Sequence, residues 1–265
     1  MNKITSRSNP KIKQIRALKH RKQRDASGLF AVEGLYHIGE AAAAEAPIEY
    51  ILSSPELLGS QFGISVVDRL IRKGVACYET DQDIFRFVSE KDNPQGLIAV
   101  IQQKTAVLRD LNPTTFPWAV AVVAPQDPGD LGAILRTIDA VAASGLIILD
   151  EGVDVHHPKA VRASMGALFW YPVLRAGFEE FASWAIAYGY HVYGSSARRG
   201  EKLAEGELFD RPAILLLGSE REGLSDRHLQ ICERVIRLPM DGRVTSLNLA
   251  VAAGIMLHAM RTRSV

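Results

Sequence analysis

Hydrophobic positions fall into two alternating patterns along the chain, and together they predict an α/β protein. Short apolar runs are typical of strands, and they alternate with longer segments in which apolar residues recur at helical spacing. In the second half of the chain these runs are continuously apolar, which favours a parallel sheet covered by helices on both faces. The strands predicted there are 119–124, 145–149, 191–194, 214–217 and 235–238.

The first half of the chain shows the same alternation on a smaller scale, which predicts a compact α/β domain of its own. Its predicted strands are 29–33, 48–53, 76–79 and 96–101, and its helices are 36–44, 66–73 and 82–88, the last capped by Asp81. Helices of the second half are predicted near 131–143, 159–168, 179–188 and 249–260. The predicted organisation is a domain over 1–104, a linker over 105–117 containing the Asn112-Pro-Thr-Thr-Phe-Pro117 break, and a domain over 118–265.

Composition excludes several classes of protein. A hydrophobic content of 47% and a charged content of 23% are ordinary for a globular protein. The chain has no apolar run of the ~20 residues that cross a bilayer, and its N-terminus lacks the apolar core of a secretory signal. We therefore expect a cytoplasmic protein in which Cys77 and Cys232 are reduced and buried. No metal is predicted, because His156 and His157 are adjacent and point in opposite directions in an extended chain.

Positive charge is concentrated at the N-terminus although the net charge is only +1. Residues 1–24 contain nine Lys or Arg and no acid. Asn9-Pro10 predicts a helix start, and Ile12, Ile15 and Leu18 share one apolar stripe, which leaves the cations on the other face. Such a face is either simply solvated or binds nucleic-acid phosphates. The cations of this segment that would meet such phosphates are Lys11, Lys13, Arg16 and Lys19.

Three polar segments follow predicted strands of the second half. They are Asp127-Pro-Gly-Asp-Leu-Gly-Ala-Ile-Leu-Arg-Thr137, Leu215-Leu-Leu-Gly-Ser-Glu-Arg-Glu-Gly-Leu224 and Leu238-Pro-Met-Asp-Gly-Arg-Val-Thr-Ser-Leu-Asn248. In parallel sheets, ligands bind beyond the carboxyl ends of the strands, where such segments meet. Ser246 lies where helix-start N–H groups need partners, so it either contacts a ligand or caps the last helix.

These three motifs together resemble the SpoU (TrmH-like) family of S-adenosylmethionine-dependent RNA ribose 2′-O-methyltransferases. Segments 4–11, 30–34 and 159–169 are similar to the larger, two-domain members of that family. Asp130 departs from the family pattern, which usually has Asn at this position. The residues that match the three motifs are Gly132 and Arg136, then Gly218, Glu220, Gly223 and Leu224, then Pro239, Met240, Gly242, Ser246, Leu247 and Asn248.

The resemblance implies an N-terminal L30e-like substrate-binding domain and a C-terminal SPOUT domain with a deep trefoil knot. It also implies S-adenosylmethionine as the methyl donor, a homodimer in which each site borrows residues from its partner, and ribosomal RNA, most specifically 23S rRNA, as the substrate. A tRNA substrate is the near alternative. A non-catalytic RNA-binding or ribosome-assembly protein is the alternative from another class, and Asp130 is its support.

Five residues are expected to act in the chemistry. Arg136 would grip an RNA phosphate and stabilise charge on the reacting oxygen, and Asn248 and Ser246 would orient the ribose or the cofactor. Glu220 would either tie the motif loops together or approach the substrate. Asp130 could hold Arg136 in place, or could occupy the donors that should meet RNA.

The cofactor-binding residues expected from the motif positions lie at or beside strand ends. Gly218 and Gly242 would allow the backbone to approach the ligand closely, and each apolar residue of the set could equally be part of the core. Arg162 and Ser164 would face RNA or the partner subunit, or serve as structural caps. The predicted cofactor set is Ser195, Leu217, Gly218, Ile236, Leu238, Met240, Ser246 and Leu247.

Overall fold

Separate hydrophobic cores divide the chain into two units. The computed structural model describes residues 2–104, 106–204 and 206–261. The first unit contains residues 2–104 and 156–162, and the second contains 106–155 and 163–261. The short segment 156–162 lies with the first unit because the His156 ring contacts Phe30, with centroids 4.6 Å apart, and because the Arg162 carbonyl is 3.3 Å from Nε2 of His37.

The first unit is built on a mixed five-stranded sheet of order β1-β4-β3-β5-β2, in which only β5 runs antiparallel to its neighbours. The predicted capping of the helix over 82–88 by Asp81 is confirmed, since Asp81 Oδ1 accepts a hydrogen bond of 2.8 Å from the Ile84 amide. The elements of the unit are β1 Asn2–Ile4, α1 Pro10–Ala17, α2 Arg21–Ser27, β2 Leu29–Glu33, α3 Leu35–Ala43, β3 Ile48–Ser53, α4 Gln61–Arg72, β4 Ala76–Thr80, α5 Gln82–Val88 and β5 Leu97–Gln102.

The basic N-terminal segment forms two helices, α1 and α2, separated by a turn. As predicted, Ile12, Ile15 and Leu18 are buried together in the core of this unit. Arg24 is not part of a cationic face, because it is only 1% exposed and its Nη1 donates to the carbonyls of Leu18 and Lys19. It therefore holds the turn between the two helices by satisfying carbonyls that the first helix leaves open.

The second unit is built on a seven-stranded sheet in which every pairing is parallel, as the apolar runs predicted. A short 3-10 helix, Leu108–Asp110, precedes its first strand. The elements that follow are β6 Trp118–Val123, α6 Pro128–Val141, β7 Leu146–Leu149, α7 Pro158–Ala163, α8 Ala167–Trp170, β8 Val173–Ala176, α9 Phe178–Ala187, β9 His191–Ser195, β10 Glu201–Lys202, β11 Ala213–Leu217, α10 Asp226–Leu229, β12 Arg234–Arg237 and α11 Leu249–Met260.

Both faces of this sheet are covered. Val120 and Val122 of β6 pack into a core shared with α6 and α11, whereas Ala119 and Ala121 face a second core formed with α9. The strand order is β10-β12-β9-β11-β6-β7-β8. From β6 the chain continues to β7, towards one edge of the sheet, whereas from β11 it continues to β12, towards the other edge. The gap between β6 and β11 is therefore the switch point, the place where open parallel sheets bind ligands.

Several elements differ from the prediction. The helix predicted near 159–168 is two short helices, α7 and α8, because Met165 (φ 49°) and Gly166 (φ 93°) take left-handed backbone conformations that end a helix. Strands β1, β8 and β10 were not predicted. Among the described helices, none combines the length and the apolar character that crossing a bilayer requires.

Candidate active site

The first two motif loops are joined by Glu220. Its carboxylate oxygens accept hydrogen bonds from the backbone amide of Gln126 at 3.0 and 3.2 Å, and one of them also accepts from the amide of Asp127 at 3.3 Å. Gln126 and Asp127 follow β6, and Glu220 follows β11, so the contact spans the switch point of the sheet. This geometry favours the loop-tying interpretation of Glu220, and it uses an ion–amide contact rather than a salt bridge.

Asp127 begins α6, a role that the sequence analysis did not assign. Its Oδ1 accepts from the amides of Gly129 and Asp130, and Pro128 occupies the first helical turn. The Asp-Pro pair is itself a recognisable helix-start signal, because Asp is a favoured cap and Pro is favoured at the first position. The cap fixes the position of Asp130 in the first turn of α6.

The first and third motifs are joined by Asp130 and Asn248. The Asn248 Nδ2 group donates to both carboxylate oxygens of Asp130, at 3.1 and 2.9 Å. The Asn248 Oδ1 accepts from the amides of Ala250 and Val251 and so caps α11. The interpretation of Ser246 as the cap is therefore wrong, since α11 begins at Leu249 with Asn248 as its cap and Ser246 is exposed.

Arg136 lies on α6 with its side chain exposed. Neither predicted role for Asp130 beside Arg136 is seen, because the Asp130 carboxylate is directed to Asn248. Within the residues that the structure describes, Arg136 makes no ion pair or hydrogen bond through its side chain. Its five N–H donors remain available for an external acceptor such as phosphate.

Three of the predicted cofactor residues meet at the carboxyl ends of neighbouring strands. Ser195 of β9 pairs in register with Leu217 of β11 on one side and with Ile236 of β12 on the other. Leu217 and Ile236 are fully buried in the core beside α11, whereas Ser195 is half-buried. The side chains of the two apolar residues are thus engaged within the chain, and what they present at the edge is backbone.

Four more of the predicted cofactor residues, Leu238, Met240, Ser246 and Leu247, lie on the segment that leads from β12 to α11, whereas Gly218 directly follows β11. Leu238 is buried, while Met240 and Leu247 are partly buried against the same core. Residues 241–246 between them are exposed. The segment therefore has apolar anchors at both ends and an open polar stretch that carries Gly242 and Ser246.

The two motif glycines differ in what surrounds them. A Cβ at Gly218 would lie 2.1 Å from the carbonyl carbon of Gly223 and 2.4 Å from the amide of Leu224, so the second motif loop folds back directly on it. A Cβ at Gly242 would have no atom within 4 Å. Close approach at Gly218 is thus to the chain itself, and contact of its backbone with a ligand stays a prediction.

Both cysteines are free and half-buried rather than fully buried. Burial raises the pKa of Cys232 to about 12 and also raises the pKa of Cys77 above its ordinary value. Each thiol therefore stays protonated near neutral pH and is a poor nucleophile.

The cations predicted to contact RNA fall into two groups. Lys19 and Arg162 both pair with Glu90, at 3.8 and 3.6 Å. Lys11, Lys13 and Arg16 make no ion pair with a residue in the described part of the chain. Ser164 is only 1% exposed and cannot offer its hydroxyl to RNA.

One group of potential metal-ligating side chains lies away from the motifs. His191, Asp210 and Glu233 have ligand atoms within 4.8 Å of one another. His191 and Glu233 also contact each other directly, with Nδ1 and Oε2 2.5 Å apart. The group lies at the amino end of β9, and the absence of a bound metal stays a prediction.

Comparison with known families matches both units. The SpoU rRNA Methylase family matches residues 117–258, and the MRM3-like substrate binding domain matches residues 9–99.

Among proteins of known activity, the chain is similar over nearly its whole length to 23S rRNA 2′-O-methyltransferases. It is 28% identical to the 23S rRNA (guanosine(2553)-2′-O)-methyltransferase RlmP of Bacillus subtilis, covering 98% of this chain and 100% of the relative. It is 29% identical to the 23S rRNA (uridine(2479)-2′-O)-methyltransferase of Streptomyces viridochromogenes, covering 98% and 92%. Among solved structures, it resembles the AdoMet-bound rRNA methyltransferase from Sinorhizobium meliloti with a TM-score of 0.87 and 33% identity, covering 97% of this chain and 96% of that one.

Replacing Gly218 by Ala is expected to lower the free energy of unfolding of the second unit by about 3 kcal/mol, because the added methyl overlaps backbone atoms that cannot rotate away. All three tryptophans, Trp118, Trp170 and Trp184, lie in this unit, so urea unfolding followed by tryptophan fluorescence reports on it. Gly242→Ala is the matched control and should change stability by less than about 0.5 kcal/mol. A Gly218→Ala protein as stable as the parent would contradict the packing described here.

Replacing Asp130 by Asn is expected to retain the rate of methyl transfer within about threefold, because an amide oxygen can still accept from Asn248 Nδ2. Asp130→Ala removes that acceptor and should lower the rate roughly fivefold, the value of one modest hydrogen bond. Single-turnover methyl transfer to RNA measures both. Equal loss in the two variants would mean that the negative charge itself is needed.

Proposed function

The chain belongs to the SpoU rRNA methylase family and is an S-adenosylmethionine-dependent RNA ribose 2′-O-methyltransferase, and we propose that its substrate is 23S ribosomal RNA. The proposal is supported by the activity named for the relatives in Bacillus subtilis and Streptomyces viridochromogenes. The match of the first unit to a substrate-binding domain supports an RNA partner.

The observation that carries the proposal is the meeting of the three motif loops at one edge of the parallel sheet. Glu220 joins the first loop to the second, and Asp130 with Asn248 joins the first to the third. Ser195, a half-buried hydroxyl at the end of β9, pairs in register with Ile236 of β12, the strand that leads into the third motif loop. Such an edge of apolar anchors, backbone groups and a few polar side chains fits a nucleoside with an amino-acid tail.

The bound cofactor supplies an electrophilic methyl group on a sulfonium, and the reaction forms a carbon–oxygen bond as the carbon–sulfur bond breaks. The proton of the 2′-hydroxyl leaves to solvent or to a nearby acceptor. In this proposal the backbone at the ends of β11 and β12 holds the cofactor, with Met240 and Leu247 as its apolar contacts. Ser246 orients the ribose by hydrogen bonding. Asn248 acts as a positioning residue and does not touch the substrate, because its side-chain amide is already hydrogen-bonded to Asp130 and to the start of α11.

Arg136 is proposed to bind the RNA phosphate next to the target ribose. A guanidinium offers several donors in one plane, so it can fix the phosphate and stabilise negative charge developing on the 2′-oxygen. This role requires a side chain free of internal partners, which is how Arg136 lies among the described residues.

The substrate is tested by transfer of labelled methyl from S-adenosylmethionine to separated rRNA and tRNA, followed by alkaline hydrolysis. A 2′-O-methyl group blocks cleavage of its own phosphodiester, so we expect labelled dinucleotides from 23S rRNA. Label in tRNA alone would replace the proposed substrate. Cofactor binding with no label in any RNA, including ribosomal precursors, would favour the non-catalytic alternative.

Replacing Arg136 by Ala is expected to lower the single-turnover rate by a factor of about 10²–10³, the usual cost of removing one donor to a developing oxyanion. Arg136→Lys should restore only part of the rate, because a single ammonium lacks the planar pair of donors. The dissociation constant of S-adenosylmethionine, measured by calorimetry, should not change. Arg109→Ala, an exposed arginine elsewhere in the second unit, is the control. A wild-type rate for Arg136→Ala would remove this residue from the mechanism.

We further propose that the C-terminal region forms the deep trefoil knot of the family and that the chain is a homodimer. The last helix supports a dimer, since Val251 and Ile255, one turn apart, are 51% and 43% exposed on a helix that also packs against α6. Apolar side chains at this spacing form a stripe that a second subunit could cover. Sedimentation equilibrium measures the oligomeric state, and a monomer at micromolar concentration would contradict the proposed dimer.

A further inference from the structure

The nine cations of the N-terminal segment are not equivalent once the chain is folded. Three of them are neutralised or buried: Lys19 pairs with Glu90, Arg21 pairs with Asp25 at 3.4 Å, and Arg24 is buried on backbone carbonyls. Arg7 and Arg16, by contrast, are exposed, and neither makes an ion pair with a residue that the structure describes. Charge that is free to meet an external anion is thus confined to part of the segment.

Arg7 and Arg16 converge on one aromatic ring. The guanidinium carbon of Arg7 lies 4.6 Å from the ring centroid of Phe87, and that of Arg16 lies 4.3 Å from the same centroid. Arg7 precedes α1, Arg16 is near its end, and Phe87 lies on α5, so the fold brings three separate segments of the first unit together. The ring offers the two like charges a favourable contact within the chain.

A third cation of the segment, Lys11, is also held against aromatic rings. The Lys11 Nζ lies 4.1 Å from the ring centroid of Tyr50 and 5.7 Å from that of Tyr78. Lys11 is also on α1, so its ammonium belongs to the same helix as Arg16. Aromatic support of cations is therefore a repeated feature of this helix.

Aromatic support has a specific consequence for binding. A long arginine side chain normally loses rotamer freedom when it binds a ligand, and that loss opposes binding. A guanidinium already held against a ring loses less, while its N–H groups remain free to donate. Two such groups at one ring make a preorganised site for an oxyanion with several acceptor oxygens.

We propose that Arg7, Arg16 and Phe87 form a phosphate-binding anchor for the RNA backbone on the first unit. This rests on the proposed function, because RNA is the substrate from which a phosphodiester would be supplied. The anchor binds backbone and not a base, since both guanidiniums take up the ring that a base would otherwise stack on. It therefore sets the position of the RNA on the first unit without reading its sequence.

The test compares Arg16→Ala with Arg21→Ala. Both remove one positive charge from the same basic segment, but only Arg16 lies on Phe87, whereas Arg21 is already paired with Asp25. Arg16→Ala is expected to weaken RNA binding about fivefold to tenfold and to reduce the slope of log affinity against log salt by about 1, the signature of one lost phosphate contact. Arg21→Ala should change affinity less than twofold and leave the slope unchanged.

Phe87→Leu tests the aromatic support separately. It keeps both charges and an apolar side chain, so we expect about a threefold loss of affinity, in the range of a surface cation–π contact, without a change in the salt slope. Thermal melting of each variant checks that the protein is folded. In methyl transfer, Arg16→Ala should raise KM for RNA and leave kcat unchanged.

Equal weakening by Arg16→Ala and Arg21→Ala would overturn the anchor and leave only diffuse attraction by the basic segment. No weakening by Arg16→Ala or Arg7→Ala would also overturn it, and would point to a protein partner for this surface. Wild-type protein that binds RNA through this anchor but transfers no methyl would disprove the proposed function and not the anchor. The two proposals are therefore separable.

Discussion

Hydrogen bonds from amide groups to two carboxylates join the three motif loops at one edge of the second unit. Parallel strands bring their following loops to one edge but do not fix the loops relative to one another. Here Glu220 accepts from two backbone amides of the first motif loop, and Asp130 accepts from the side-chain amide that caps α11. Each contact joins segments more than ninety residues apart in the chain, so the fold must be complete before either can form.

The use of carboxylates for this purpose explains how the chain accommodates Asp where its family usually has Asn. An ionised carboxylate only accepts hydrogen bonds, and at this position it meets a group that only donates, the Asn248 Nδ2. The negative charge is thereby directed away from Arg136, whose donors stay available. The departure from the family pattern is thus compatible with the chemistry, because both oxygens of Asp130 are already engaged.

Local signals in the sequence predicted much of the fold. The apolar runs predicted the central strands, and Asp81 and the N-terminal apolar stripe were recognisable because caps and helical periodicity act over a few residues. Edge strands β8 and β10 lacked such a signal, since strands at the margin of a sheet are short and only partly buried. The break between α7 and α8 depends on the backbone conformation of Met165, a residue type that does not favour it.

The sequence predicted which residues belong to the candidate site, but not which hydrogen bonds join them. Motif spacing identified Asp130, Glu220 and Asn248, but which side chain each would contact depended on the meeting of distant segments. The same holds for charge: Arg24 and Lys19 looked like their neighbours in sequence, and only folding directed one to carbonyls and the other to Glu90. Sequence shows which charges exist, whereas their partners show which of them remain free.

The burial of Leu217 and Ile236 at the strand ends has a consequence for how such a site can change during evolution. Because these side chains fill the core, the surface that a cofactor would meet there is made of peptide groups, which are the same for every residue type. Substitutions among apolar residues at these positions would alter packing while leaving the chemical character of that surface intact. A cofactor bound at the proposed site would then be recognised through the path of the backbone, which tolerates wide variation in the surrounding sequence.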